Sequence, residues 1–480
     1  MSDERTYRNP LASRYAGRKM LEIWSPFTRH STWRRLWVAL ARAERRLGLE
    51  ISDAQIAEME AHLEDIDFKR ASEIERETRH DVMSHVRLFA EQCPSAAPII
   101  HLGATSCFVT DNTELIQLRS ALDVVEGRLA KVAGLLADFA ERHKDLPALG
   151  FTHYQPAQLT TVGKRFSLYL QDFLMDMERV SRERSDLPFR SVKGTTGTQA
   201  SFLALFDGDH SKVEALERMV AEEMGFGKVL DVCGQTYTRK LDYFIVSDLS
   251  GVAQSAHKFA CDIRLLANLR EVEEPFGGKQ IGSSAMAYKR NPMRCERICS
   301  LSRFVMSLPA NCANTHATQW FERTLDDSAN RRITLPEAFL GVDAVLALVA
   351  NVMDGIIVWP KMIASRVAAE LPFMATENIL MAAVKAGGDR QELHEAIREH
   401  SMSAAAKVKE GGPNDLLERL RNDPLFAAVA DSFDEIVDPK AFIGRAPEQV
   451  SRFLSDKVRP ALAARSAAVA AVGEDDAVRV

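Results

Sequence analysis

Residues 334–359 read TLPEAFLGVDAVLALVANVMDGIIVW, a stretch that is apolar on nearly every side of a helix. A helix of this kind must be buried all round. The pattern predicts a helix that begins near Thr334, carries Pro336 and Glu337 in its first turn, and ends at Trp359. Polar residues interrupt the stretch and favour a buried helix of a soluble protein over a membrane span; they are Asp343, Asn351 and Asp354.

Four more long helical patterns lie along the chain. Apolar residues recur every three or four positions in segments that end before Pro147, Pro188 and Pro275, and in a segment that begins at Asn291. We therefore predict an all-α fold with a central bundle of five long helices. We expect that one chain's bundle supplies too few neighbours for the apolar helix, so that several subunits assemble into one helical core.

Local patterns suggest how the chain is divided. Asp111 and Glu114 form a predicted capping box at the start of the first long helix. The last residues, 463–480, are expected to fray or to dock weakly. Three helical domains are predicted: residues 1–105, which carry His80, residues 106–358, which form the bundle, and residues 359–480.

Composition limits the classes of partner. The chain has 480 residues and a formal net charge of −6, which argues against a general binder of nucleic acid or of anionic membranes. The first ten residues, MSDERTYRNP, are polar, so we expect no secretory signal. The 7 cysteines are an odd, scattered set that predicts reduced thiols in the cytoplasm. Cys295 and Cys299 stand four residues apart, but no matching ligand cluster accompanies them, and we expect no metal.

Residues 282–292, GSSAMAYKRNP, combine small residues, two serines and a lysine. Asn291 and Pro292 are typical of the N-cap and first position of a helix, and a helix N-terminus offers unpaired N–H groups to an anion. Lys289 adds a full positive charge. We predict a mobile loop that closes over a carboxylate and brings a hydroxyl to it. For an isolated Ser-Ser pair, a surface turn would be the better interpretation.

Four further segments are dense in polar residues, and three of them precede a long predicted helix. Loops at the ends of a bundle can bring ligand groups together on a rigid scaffold. Simpler interpretations exist, because the hydroxyls can be helix caps, the histidines can orient turns, and the charged pairs near residue 330 can form a surface salt-bridge patch. The segments are residues 78–82, 101–106, 150–158 and 320–332.

Together these segments resemble the adenylosuccinate lyase family of the fumarase/aspartase superfamily. The loop 282–292 is similar to the superfamily pattern GSSxMPxKxNP, except that Ala287 stands where the family generally has proline. We expect Ala287 to make loop closure costlier in chain entropy without loss of chemistry. The resemblance runs from about Arg14 to about Arg452 and includes RHDVMSHV at 79–86, IIHLGATSC at 99–107, GFTHYQPAQLTTVGKR at 150–165, KGTTGTQAS at 193–201, GQTYTRK at 234–240 and WFERTLDDSANRR at 320–332.

The resemblance implies a carbon–nitrogen lyase that releases fumarate from adenylosuccinate and from the corresponding succinyl-carboxamide ribotide by β-elimination. It implies Ser283 as the base, His153 as the general acid, His80 as a second histidine that contacts substrate, and Lys289 as a stabiliser of the developing dianion. It implies no metal or organic cofactor, and a homotetramer in which each active site draws on three chains. It marks as substrate-binding positions Arg14, Tyr15, Arg79, Asp81, Thr105, Ser106, Gln235, Asn291, Arg297, Arg323, Ser328 and Arg332.

Two alternatives stay open from the sequence. One is another lyase of the superfamily, such as argininosuccinate lyase. The other is a non-catalytic relative like the lens crystallins built on this fold, against which the intact Ser283, His153, His80 and Lys289 argue. The expected partners are purine nucleotides and further copies of the chain, with neither nucleic acid nor a membrane.

Overall fold

The computed structural model describes residues 5–472, and it confirms the all-α prediction. Two short antiparallel pairs of strands accompany the helices: β1 Pro147–Thr152 with β2 Gln155–Thr161, and β3 Val272–Glu273 with β4 Ile357–Val358. The helices are α1 Arg18–Ile23, α2 Pro26–Arg46, α3 Asp53–Ala61, α4 Phe68–Thr78, α5 Asp81–Gln92, α6 Ser106–Arg142, α7 Val162–Asp186, α8 Ala200–Leu205, α9 His210–Glu223, α10 Lys240–Asn268, α11 Met293–Ala317, α12 Asp327–Asp354, α13 Pro360–Met374, α14 Thr376–Lys385, α15 Arg390–Lys409, α16 Leu416–Asn422, α17 Phe433–Ile436, α18 Ala446–Phe453, α19 Arg459–Ala463 and α20 Ser466–Val472.

Helices α6, α7, α10, α11 and α12 are the five long helices that the sequence predicts, and they pack against one another as a bundle. The boundaries of α12 differ from the prediction. It begins at Asp327 instead of near Thr334, because buried ion pairs hold its first two turns, and Pro336 lies inside it. It ends at Asp354 instead of Trp359, because the following residues pair with β3 as strand β4.

The apolar helix α12 is covered by its own chain. Phe339, Val342, Val345 and Val349 are fully buried, and α6, α10 and α11 supply the neighbours. By length and composition α12 could cross a membrane, but 83% of its most apolar stretch is buried inside the molecule, as in the core helix of a soluble protein. The expectation that one chain cannot cover this helix is therefore wrong, and support for an oligomer has to come from other surfaces.

The predicted capping box at Asp111 is also wrong. Helix α6 begins at Ser106, so Asp111 lies inside the helix and is buried. Its carboxylate accepts a hydrogen bond from the backbone N–H of Tyr237 at 2.8 Å and pairs with Arg239. Asp111 therefore makes tertiary contacts, although its local sequence pattern is typical of a helix start.

A β-hairpin between α6 and α7 has no counterpart in the sequence prediction. Thr152 lies opposite Gln155, so His153 and Tyr154 form a two-residue turn. Both residues have positive φ, 53° and 57°, which is typical of a type I′ turn. Such turns usually contain asparagine or glycine, and the absence of either from this turn explains why the pattern was missed.

The apolar core of the described residues has three parts. The largest joins the N-terminal helices to the bundle, a smaller cluster is formed by residues between 375 and 433, and a third consists of Ala71, Ile74 and Leu88. The domain boundaries at 105 and 358 stay a prediction. In the predicted weak tail, α20 packs on α6 and Arg465 pairs with Glu126 at 2.7 Å, while residues 473–480 lie outside the described residues.

Candidate active site

A cleft of about 880 Å³ opens where α5 and α6 begin and where the chain enters α10 and α12. These four chain segments are far apart in the sequence, and the bundle brings them to one place. The cleft is lined by many of the predicted site residues, namely Arg79, His80, Asp81, Thr105, Ser106, Gln235, Arg323, Ser328 and Arg332.

His80 is held at the N-terminus of α5. Its Nδ1 accepts a hydrogen bond from the backbone N–H of Met83 at 3.3 Å. Acceptance at Nδ1 leaves the proton of the neutral ring on Nε2, which lies 3.5 Å from Ser106 Oγ. The preceding Arg79 ends α4 in the left-handed conformation, with φ of 55°, and so turns the chain sharply at this wall. His80 thus presents an N–H donor to the cleft.

Asp81 and Arg332 form an ion pair across the cleft wall, 2.8 Å apart. Burial by itself raises the pKa of the Asp81 carboxyl, but hydrogen bonds from Val82 N–H and Arg332, with the charge of Arg332, outweigh it and lower the pKa. The Arg332 side chain keeps half of its surface exposed. It can therefore contact a bound anion while Asp81 fixes its position.

The floor of the cleft is a buried set of ion pairs. Arg239 binds Asp111 at 3.1 Å and Asp327 at 2.8 Å. Arg323 lies 3.6 Å from the same Asp327, and its Nη1 is buried without a hydrogen-bond partner among the described residues. Burial alone would raise the pKa of Asp111, but the charges of Arg239 and Arg331 outweigh burial and lower it. The floor is pre-organised, and one Arg323 donor is left for a ligand.

A second buried group lies beside the first. Arg331 binds Asp242 and Glu114, each at 2.7 Å, and also contacts the Tyr237 hydroxyl. These residues tie α6, α10 and α12 together directly beneath the cleft. The simpler interpretation of a surface salt-bridge patch is therefore wrong for Asp327 and Arg331, which are buried, whereas Arg332 is exposed.

Arg29 is a cleft residue that the sequence analysis did not single out. It comes from α2, lines the cleft and is half-buried. Within residues 5–472 its guanidinium makes no hydrogen bond or ion pair, and burial lowers its pKa despite the nearby Glu114. A desolvated arginine without a carboxylate partner is suited to an anionic ligand. No local motif marks it, because it stands in an ordinary amphipathic helix.

Ser283 lies in a loop that closes on itself. Its Oγ accepts hydrogen bonds from the backbone N–H groups of Ala285 at 3.3 Å and Met286 at 3.1 Å. Asn291 Nδ2 donates to the Gly282 carbonyl at 2.7 Å and closes the loop at its base. Two donors aimed at a hydroxyl oxygen stabilise its alkoxide form. This arrangement is the chemical feature that a serine base needs.

The predicted anion site at the start of the next helix is wrong. The helix begins at Met293 with Pro292 as its N-cap, and not at Asn291. The N–H groups of Arg294 and Cys295, in the first turn of this helix, donate to the two carboxylate oxygens of Glu274, each at 3.0 Å. A carboxylate of the chain itself therefore caps this terminus, and substrate has no access to those donors.

The other predicted residues do not line the cleft. His153 stands exposed at the tip of the hairpin, and Lys289 is exposed in the Ser283 loop. The ring of Tyr15 lies 6.0 Å from the Arg14 guanidinium and 5.7 Å from that of Arg297. The chain thus assembles one part of the predicted site in the cleft and leaves the hairpin, the Ser283 loop and the Tyr15 group outside it.

The left-handed turn of His153 and Tyr154 is strained. Non-glycine residues pay roughly 1–2 kcal/mol each for this conformation, and such strain is concentrated at functional sites. Both side chains are exposed, so packing of this chain does not account for them. The turn is therefore a candidate functional element.

Comparison with known families defines the class. The family described as "Lyase" matches residues 16–307, and the one described as "Adenylosuccinate lyase C-terminus" matches residues 372–453. Solved structures of the same fold include 3-carboxy-cis,cis-muconate lactonizing enzyme from Pseudomonas putida, with a TM-score of 0.80, 25% identity and coverage of 94% of this chain and 100% of that chain. The chain is thus a lyase enzyme of this helical fold.

Curated relatives narrow the class to one family. Adenylosuccinate lyase of Schizosaccharomyces pombe is 54% identical over 96% of this chain and 97% of its own length. That of Saccharomyces cerevisiae is 55% identical with the same coverage, and that of Schistosoma mansoni is 47% identical. This chain belongs to the adenylosuccinate lyase family.

Proposed function

We propose that the protein cleaves adenylosuccinate to AMP and fumarate, and the related succinyl-carboxamide ribotide to AICAR and fumarate, as a step of purine biosynthesis. Adenylosuccinate follows from the names of the relatives, and the second substrate is what the family resemblance implies. The chemistry rests on one observation, the two backbone N–H groups that donate to Ser283 Oγ.

Ser283 is proposed as the base. It removes the proton from the carbon next to a succinyl carboxylate, and the electron pair passes into that carboxylate before the C–N bond breaks. An unperturbed serine hydroxyl is too weak an acid for this role, so its alkoxide must be stabilised. The N–H groups of Ala285 and Met286 supply that stabilisation, and Lys289 of the same loop is suited to the developing dianion.

His153 is proposed as the acid that protonates the departing nitrogen, which completes the release of fumarate. His80, with its N–H directed to the cleft, is proposed to contact substrate and orient it. Arginines suit the phosphate and two carboxylates of the substrate because their planar forks bind such groups in pairs. The cleft arginines proposed for this role are Arg29, Arg79, Arg323 and Arg332.

We propose a homotetramer with active sites shared between subunits. One support is that the hairpin with His153 and the loop with Ser283 do not line the cleft of their own chain. Another is that bundle helices α7 and α10 expose large apolar side chains, which marks interaction surfaces: Leu168, Met175, Phe244 and Leu265. A cytoplasmic location is proposed too, since the cysteines of the chain are free thiols in the structure.

The test of the reaction is fumarate release by the purified protein from adenylosuccinate. Turnover of this substrate, with argininosuccinate left intact, supports the proposal. Turnover of argininosuccinate alone would assign another lyase of the superfamily. Absence of release from either substrate, while the oligomer is intact, would favour a structural role.

The test of shared sites is complementation. Ser283→Ala and His153→Ala proteins are each expected to be inactive, but co-expression should restore activity in about a quarter of sites if the two residues come from different subunits. Co-expression of Ser283→Ala with wild type calibrates the assembly. Mixed oligomers that stay inactive would place both residues in one chain and refute the sharing.

A further inference from the structure

A second cluster of reactive side chains lies where α10 packs against α11. His257 and Cys261 stand one turn apart on α10, and Cys299 lies on α11. His257 Nδ1 is 3.5 Å from Cys261 Sγ, which is 3.7 Å from Cys299 Sγ. The three candidate ligand atoms all lie within 4.8 Å of one another. None of the three residues lines the cleft.

Two of these separations match a tetrahedral metal site. With Zn–S bonds of about 2.3 Å and Zn–N bonds of about 2.0–2.1 Å, neighbouring sulfurs lie about 3.8 Å apart, and a sulfur and a nitrogen about 3.5 Å apart. The two distances in the protein, 3.7 Å between sulfurs and 3.5 Å between sulfur and nitrogen, are close to these values. The side chains therefore need little rearrangement around a cation.

The surroundings favour a soft cation. Two sulfurs and one imidazole are ligands that select zinc and similar thiophilic metals over magnesium or calcium. Arg264 lies 3.7 Å from Cys299 Sγ and favours the thiolate form, although burial raises the pKa of that thiol. Cys299 is buried, while His257 and Cys261 are half-buried in the single chain.

We propose that His257, Cys261 and Cys299 form a binding site for a thiophilic divalent cation, for which zinc is the best match. Each thiol loses its proton to solvent as its sulfur binds, so two thiolates balance the charge of the ion. Three protein ligands leave a fourth position for water.

The cluster lies on the two helices that flank the Ser283 loop, so a bound cation would affect how this loop is held. Residues 269–292 connect α10 to α11 and carry Ser283, and Cys299 lies within the first two turns of α11. A bound cation would tie together the two helices from which the Ser283 loop extends. Since a ligand that binds only the folded state stabilises it, zinc is expected to raise the melting temperature. This inference does not depend on the proposed reaction.

The sequence spacing pointed to a different pair. Cys295 and Cys299 are four apart on α11, but the Cys295 thiol is directed to Glu274. Burial, together with the charge of Glu274, raises the pKa of the Cys295 thiol. Instead, Cys261 of α10 lies beside Cys299. Helix α10 begins at Lys240, 53 residues before α11 begins at Met293. The expectation that no ligand cluster accompanies Cys299 is therefore wrong.

The experiment is a zinc titration of the full-length protein, reduced and stripped of metal, in competition with a chromophoric chelator. One zinc ion per chain is expected. His257→Ala, Cys261→Ala and Cys299→Ala should each weaken zinc binding by more than roughly 10–100-fold. That range is the usual effect of losing a residue that only hydrogen-bonds to a metal ligand. Cys312→Ala, a buried cysteine of α11 outside the cluster, is the matched control and should bind as wild type does.

Cobalt supplies an independent measurement. Co²⁺ in the site should give the strong visible bands of tetrahedral coordination and a sulfur-to-metal charge-transfer band that Cys261→Ala reduces. His257 is only half-buried, so His257→Ala keeps the test valid if the Cys299 variant does not fold. Zinc binding that none of the three variants weakens, or an octahedral cobalt spectrum, would overturn the site.

Discussion

The floor of the cleft and the loop that carries Ser283 differ in burial and in the contacts that hold them. Asp111, Arg239 and Asp327 are at most 2% exposed and bind one another between separate segments of the bundle. In the loop, residues 284–290 are exposed, and the side-chain hydrogen bonds of Ser283 and Asn291 stay within residues 282–291. Binding groups are thus built on a rigid base, while the proposed reacting hydroxyl lies on a segment that can open locally at low cost.

The largest effect tests the loop side of this comparison. Ser283→Ala should lower kcat by about 10²–10⁴-fold, the usual contribution of a positioned acid or base. Substrate affinity and melting temperature should change little, because the cleft floor stays intact. Steady-state kinetics and equilibrium binding measure the two quantities separately. Ser284→Ala is the neighbouring control, and a fully active Ser283→Ala protein would refute the base.

The second effect tests the floor. Arg331→Met leaves the buried Asp242 and the partly buried Glu114 without their partner, so the free energy of unfolding should fall by about 3–5 kcal/mol. Arg332→Met, at the next position but exposed, should cost under about 1 kcal/mol. Urea unfolding of both variants provides the comparison. Equal losses would contradict the contrast between a buried floor and an exposed rim.

The third effect separates substrate binding from chemistry. Arg29→Gln should raise KM about 10–100-fold with kcat nearly unchanged, since a hydrogen bond to a charged group contributes roughly 1.5–3 kcal/mol. Arg35→Gln, on the same helix α2 but exposed and paired with Glu64, is the control. A wild-type KM in the Arg29 variant would remove Arg29 from the binding group.

The fourth effect concerns pH at the rim of the cleft. Because the pKa of Asp81 is lowered in the folded protein, its stabilisation is fully present above the unfolded value near 3.8 and is lost as pH falls through the lower folded value. The difference in melting temperature between wild type and Asp81→Asn should therefore be constant from pH 7 to 5 and shrink below about pH 4. The pair is partly exposed, so its contribution to the free energy of unfolding should stay under about 1 kcal/mol. A difference that grows towards low pH would contradict the pairing with Arg332.

The smallest effect lies in the loop again. Lys289 N–H donates to the Met286 carbonyl at 3.0 Å, which places Ala287 second in a tight turn, where proline is favoured. Ala287→Pro should stabilise the closed loop by about 0.4–1 kcal/mol and lower KM slightly. Ala285→Pro is the contrasting variant, because it removes an N–H that donates to Ser283. An unchanged KM in Ala287→Pro would show that chain entropy at this position does not limit closure.

The sequence predicted the repetitive parts of the fold well. The five long helices were visible because their apolar faces repeat over many turns, and a long periodic signal is not cancelled by a few tertiary contacts. Their ends were less predictable: Asp111 looked like a cap and lies in a buried ion pair, and Glu274 occupies the helix start that Asn291 seemed to offer. The ends of a helix depend on contacts with side chains that are distant in the sequence.

Nine of the predicted site residues line one cleft, and sequence motifs made them predictable. The roles of Ser283 and His153 stay predictions. Arg29 was not predicted, because its suitability for an anion depends on the lack of a carboxylate partner among the described residues. No local sequence pattern can reveal such a lack. The sequence alone therefore determined the helical fold, the family and the residue types of the site. Only the tertiary structure decided which charges are paired or free and which cysteines and histidine meet, because pairing depends on distance and burial between segments far apart in the chain.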